Sequence, residues 1–131
     1  MRAMLDNDIK ALAQGKNFAT FTTFLPDGPA MTQVTWVDAD DDHLLINTET
    51  GRQKYRNVTR DPRVTVAIID AANPYRYAEV RGRVIETITG DQARANIDQL
   101  AQKYTGGPYG AEIVDERVLL VIEPERQRLQ G

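Results

Sequence analysis

Thr48-Glu49-Thr50-Gly51-Arg52-Gln53-Lys54-Tyr55-Arg56-Asn57-Val58-Thr59-Arg60-Asp61-Pro62-Arg63-Val64-Thr65-Val66 joins the end of one strand-like run to the start of another. Within it, Gln53 to Arg60 reads as one or two turns of helix. Asp61-Pro62 ends that helix, because proline disfavours helical geometry in the residue before it. Tyr55 and Val58, at i and i+3, anchor it inward. From Arg52 to Arg63 five positive charges face the single Asp61, although the whole chain carries a formal net charge of −3. Such a cluster, at a strand end with hydroxyls and a glycine beside it, suits a phosphate or polycarboxylate. Lysine serves as a point charge, arginine as a bidentate fork, threonine and backbone N–H as neutral donors. Blocks of like charge also commonly form solvated faces, and charge alone leaves both readings open.

Outward from this stretch the runs are strands. Leu44-Leu45-Ile46-Asn47-Thr48 leads into it, and the almost wholly apolar Val64-Thr65-Val66-Ala67-Ile68-Ile69 leaves it as a central strand. Upstream, Phe18 to Phe24 is rich in aromatic and β-branched residues, Pro26-Asp27-Gly28-Pro29 is turn chemistry, and Ala30 to Val37 completes a hairpin. On that second strand Gln33 and Thr35 share one face, and Thr32, Val34 and Trp36 the other. The first pair either meets a ligand or faces water.

Before the hairpin, residues 4–14 carry Leu5, Ile9, Leu12 and Ala13 at helical spacing, with Gly15 at the position of a left-handed cap. Downstream, Tyr75 to Ile85 alternates as a fifth strand in which Gly82 marks a bulge. Thr89 with Gln92 fits a capping box for a crossover helix over 91–104. Arg117 to Pro124 is the last strand, and the polar tail, 125–131, is expected to fray. Six strands joined mainly by turns, with helices only at an end and in the connections, predict a mainly β, six-stranded antiparallel barrel. A parallel sheet would need alternating helices.

Composition narrows the function. At 131 residues the chain reads as a single domain over 1–131. It has no cysteine, which removes thiol chemistry, and one histidine, His43, in an acidic turn; together these leave little for a metal site or a nucleophilic triad. Asp38 to Glu49 imitates a calcium loop, but His43 stands where that loop needs glycine, so a solvated acidic turn is expected. An acidic balance argues against a nucleic-acid partner. With no membrane-spanning run and no secretion signal, a cytoplasmic protein is expected.

Taken in order, these features resemble the small split-barrel flavin and deazaflavin oxidoreductases related to pyridoxamine-phosphate oxidase. The branch most similar is the small mycobacterial-type one that uses the deazaflavin coenzyme F420. The matching pieces are Pro26-Asp27-Gly28, Thr32-Gln33-Val34-Thr35-Trp36, Leu44 to Thr48, Arg52-Gln53-Lys54-Tyr55-Arg56-Asn57 with Arg60-Asp61-Pro62-Arg63-Val64, Tyr77 to Gly82, and Lys103-Tyr104-Thr105-Gly106. They span roughly residues 5–124, and the most specific is the Lys-x-x-Asn and Arg-Asp-Pro-Arg-Val pair at its distance after the third strand.

The resemblance implies a homodimer with the cofactor in a groove between subunits and a small-molecule substrate. It places the cofactor ring against Gln33, Val34 and Thr35, with Thr32 in the same cofactor set. Asn47 and Thr48 flank the cofactor's side chain, Arg52, Lys54 and Asn57 meet its phosphate, and Tyr75 and Arg76 come from the partner subunit. The chain departs from relatives in a shorter loop between Thr48 and Arg52 and in lacking an aromatic after Pro124. In such enzymes the cofactor carries the hydride step, so no catalytic side chain is expected. F420 adds an oligoglutamate tail that Arg56 or Arg60 would meet. The alternatives are an FMN-dependent enzyme of the pyridoxamine-phosphate-oxidase kind, or a non-catalytic carrier of F420, flavin or haem.

Overall fold

The computed structural model describes residues 4–131. The first three residues of the domain expected over 1–131 lie outside the described residues. The elements run α1 (Asn7–Gln14), β1 (Phe18–Phe24), β2 (Ala30–Thr35), β3 (Asp38–Ala39), β4 (Leu44–Glu49), α2 (Gln53–Arg60), β5 (Arg63–Ile69), β6 (Tyr77–Thr89), α3 (Asp91–Thr105) and β7 (Arg117–Gln130). All strands join one antiparallel sheet in the order β2-β1-β5-β6-β7-β4-β3.

The sheet's edges, β2 and β3, are separated in sequence only by Trp36 and Val37. The three Cα steps from Thr35 to Asp38 reach at most about 11 Å, so the sheet has to curl until its edges nearly meet. This is the split-barrel fold. Its interior is filled by Phe21, Ile46, Val66, Ile68, Val80, Leu120 and Ile122, all essentially inaccessible. Burying each such side chain contributes roughly 1.5–3 kcal/mol. Helix α1, capped by the Asp6 carboxylate on the Asp8 and Ile9 N–H groups at 2.9 and 3.2 Å, adds Ile9, Leu12 and Ala13 to this core. Helix α3 packs against β4, β6 and β7 outside that core, where Ala93 meets Leu45, Leu119 and Val121.

Several expectations are corrected. The sheet has seven strands rather than six, because the two-residue β3 pairs with Leu44 and Leu45 and is too short to show alternation. The tail does not fray: β7 continues to Gln130 against Tyr77–Arg81 of β6, with Leu129 packed on the core and Gln127 bonded to the Met4 carbonyl (2.7 Å) and the Asp6 N–H (2.8 Å). Helix α1 begins at Asn7 rather than residue 4, and Gly15 is extended, not left-handed. The capping box does not form, since α3 is capped by Gly90 with no side-chain hydrogen bond. The fifth strand begins at Tyr77 and runs on to Thr89. Gly82 does lie at a bulge, where a Cβ would stand 2.1 Å from the Glu123 carbonyl oxygen.

Candidate functional site

Beside the split lies a cavity of about 420 Å³. Val34, Thr35 and Trp36 line it from the β2 edge, with Phe18 next to them and Ile97 and Leu100 from α3 below; Asn47 on β4, Tyr109 and Ala111 in the α3–β7 loop, and Arg117 complete the wall. The Trp36 indole stacks on Tyr104 at 5.1 Å and 5°, Phe18 lies 5.5 Å from the same ring, and Tyr109 meets Trp36 edge-on at 6.5 Å. Tyr104 is fixed at its far end, where its hydroxyl donates to the Asn17 carbonyl and accepts the Val37 N–H at 3.2 Å. Burial pushes that phenol's pKa up. A fixed tyrosine makes the tryptophan wall rigid, which suits a planar ligand.

The cavity's other side is polar. Asn47 donates to the Ala93 carbonyl (2.9 Å) and to Asn96 (3.0 Å), and its oxygen accepts from Arg117 Nε at 2.9 Å. Strand register sets Arg117 opposite Glu49, so the guanidinium lies 3.7 Å from that buried carboxylate and 5.3 Å over the Tyr109 ring. Glu49 also accepts the Val114 N–H (3.2 Å) and lies 4.0 Å from Arg52.

Helix α2 starts here with Arg52 as its N-cap, no side-chain capping bond and no acidic residue in its first turn. An uncapped N-terminus carries free N–H donors and the positive end of the helix dipole. Lys54 stands on that turn with no ion pair among the described residues; burial first, then the charges of Arg52 and Arg117, hold its pKa below the ordinary 10.5. Positive groups thus converge on one place with Glu49 as their only carboxylate contact among the described residues. The geometry favours an anion there.

The other cations of the stretch are engaged within the chain. Arg56 donates to the Gly51 carbonyl (2.6 Å) and Gln53 (2.8 Å), and Arg60 to the Phe24 carbonyl. Arg63 forks onto Asp61 at 3.0 and 2.7 Å while lying 4.8 Å over Phe24, and it holds the Asp61 carboxyl down to about 2.

Of the residues expected to hold a cofactor, Val34, Thr35 and Asn47 line the cavity, and Arg52 and Lys54 stand at the start of α2. Gln33 is exposed on the edge strand, and Thr32 exchanges a hydrogen bond with Thr22 at 2.8 Å. Thr48 is buried within β4, paired with Val118. Asn57 is fully buried; it accepts from Gln53 at 2.8 Å and donates to Thr23 at 3.0 Å, so in this chain it braces α2 against β1 and does not offer its amide to a phosphate. Tyr75 is 86% exposed in the β5–β6 turn, and Arg76 donates to the Gly131 carbonyl at 3.0 Å; neither lines this cavity. Sequence reasoning did not assign Phe18, Trp36, Tyr109 or Arg117 to the site. Trp36, the only tryptophan, carried a usable signal at the end of the second strand.

The family model described as pyridoxamine 5'-phosphate oxidase matches residues 5–131. Among solved structures, one described as F420 reductase is 32% identical and superposes with a TM-score of 0.81, covering 95% of this chain and 98% of the other. A conserved hypothetical protein of Mycobacterium tuberculosis, Rv2991, is 24% identical with a TM-score of 0.77 over 98% of this chain and 86% of its own. HupZ of Group A Streptococcus, at 19% identity and a TM-score of 0.67 over 95% and 92% of the two chains, shares the fold. No curated protein matches by sequence.

Proposed function

This chain belongs to the pyridoxamine 5'-phosphate oxidase family, and from that premise we propose that it is an F420-dependent oxidoreductase moving a hydride between the deazaflavin and a small organic acceptor. The observation that carries the reading is the meeting of a flat aromatic wall with an uncapped, cation-flanked helix start: one end suits a planar ring, the other a phosphate. Similarity to a structure described as F420 reductase supports the deazaflavin over FMN.

The donor set fits such a cofactor. Val34 and Thr35, with Gln33 and Thr32 along the same strand, take the ring. Asn47 and the buried Thr48 shape the passage for its side chain. Arg52 and Lys54 hold the phosphate, with Asn57 keeping their helix in place. When bound, the deazaflavin supplies the two-electron hydride step, so the chain's own residues bind, orient and exclude water. Tyr75 and Arg76 serve the partner subunit's groove in the homodimer that belongs to this proposal. The exposed apolar face of Val34, Phe18, Ile69 and Tyr77, spread over four neighbouring strands, supports that pairing. A cytoplasmic location belongs to the same proposal.

Titration with F420 and with FMN tests the assignment. Tight F420 binding with FMN weaker supports it, and sub-micromolar FMN binding without F420 binding overturns it in favour of a flavin enzyme.

A further inference from the structure

We propose that Arg117 is a third cation of the anion site, reaching from the far side of the cavity to the phosphate of a ligand whose planar ring lies on the Trp36 wall. This rests on the reading above and extends it to a residue at the start of the last strand.

The guanidinium is already oriented. Nε donates to Asn47 at 2.9 Å, and Nη1 donates to the Tyr109 hydroxyl at 3.4 Å and lies 3.7 Å from Glu49. Nη2 has no protein partner among the described residues. The Arg117 side chain is largely buried, but no buried side-chain nitrogen among the described residues lacks a partner, so Nη2 keeps some access to the cavity that Arg117 lines. Its pairing with Glu49 does not exhaust its charge, because the same carboxylate also faces Arg52, and Lys54 lies within the field of both arginines. Counting the Asp115 carboxylate, which lies against Gly51 just before Arg52, three cations against two carboxylates leave an excess of about one positive charge beside an uncapped helix start, which favours a phosphate group. Arg117 also contacts Tyr109 of the cavity wall, so an anion drawn to Nη2 meets the same side chain that borders the ring site.

The test is a binding measurement on the full chain, read by the fluorescence of its single tryptophan, Trp36, which stands in the cavity wall. FMN and riboflavin differ by one phosphate; F420 and its phosphate-free chromophore differ by the phosphodiester together with the lactyl and oligoglutamate tail it carries. Arg117→Gln is expected to weaken FMN and F420 binding by at least about 10-fold, while changing the phosphate-free ligands by less than about twofold. Arg117→Lys, which keeps the charge, is expected to recover much of the loss. Equal weakening of phosphorylated and phosphate-free ligands would mark Arg117 as a wall residue only and overturn the inference, as would no weakening at all. If the parent protein binds FMN but not F420, the F420 reading fails while the FMN and riboflavin comparison still decides on Arg117. If it binds neither, both fall.

Discussion

Lys54 is the side chain on which most of the assignment turns. It is the cation of the basic stretch with neither an ion pair nor a side-chain hydrogen bond among the described residues, half-buried beside two arginines and at an uncapped helix start. Removing one partner of a desolvated charge-assisted contact costs about 2–5 kcal/mol, and a rim charge far less. Lys54→Ala is therefore expected to weaken F420 binding by at least about 30-fold in calorimetry, with little change in the thermal stability of the free protein. Arg63→Ala, whose charge is spent on Asp61 and Phe24, is the control with unchanged binding. A pH dependence follows from the same residue. Because the folded protein holds the Lys54 pKa below its unfolded value, the charged form opposes folding, and that penalty is relieved as pH rises through the lowered pKa. Binding an anion needs the charged form, so affinity is expected to fall over the same alkaline range in which this group's stability term improves. Lys54→Gln should lose both slopes, as titrations and urea unfolding at stepped pH would record. Asn47 came from the family resemblance, whereas Lys54 could be read locally, in a basic cluster just after a strand end. Arg117 could not, since the Asn47 it grips lies 70 positions away and only the β4–β7 register brings them together.

At the scale of elements, strand-forming composition and turn chemistry placed the hairpin, an apolar run placed the central strand β5, and helical spacing of apolar residues placed α3, although its expected capping box does not form. They failed where the pattern was short or disguised. β3 is too brief to alternate, and the inward positions of the β7 tail include Gln127 as well as Leu129, so a paired strand looked like a polar end. The bulge at Gly82 was legible because glycine is costly in a strand unless a close approach demands it. That demand is concrete here, with the Glu123 carbonyl 2.1 Å from where a Cβ would stand. Gly82→Ala is expected to force β6 and β7 apart and lower stability by about 1–3 kcal/mol, measured by chemical unfolding. An unchanged midpoint would mean the bulge relaxes freely.

For the whole molecule, the two-residue link between opposite sheet edges dictates the curl, and the curl brings the aromatic wall and the basic helix to one cavity. The same curl leaves the apolar outer face of β2, β1, β5 and β6 in solvent, which is why a dimer is expected at micromolar concentration in light scattering; a monomer there would contradict the shared groove. Hydride transfer tests the functional account most directly. Reduced F420 is mixed with the protein and a panel of enones, quinones and tetrapyrroles, and its reoxidation is followed against protein-free controls. The account predicts protein-dependent reoxidation with at least one acceptor class, slowed in Lys54→Ala at low cofactor concentration. Cofactor that binds tightly yet stays reduced across the whole panel would contradict it and leave the protein a carrier.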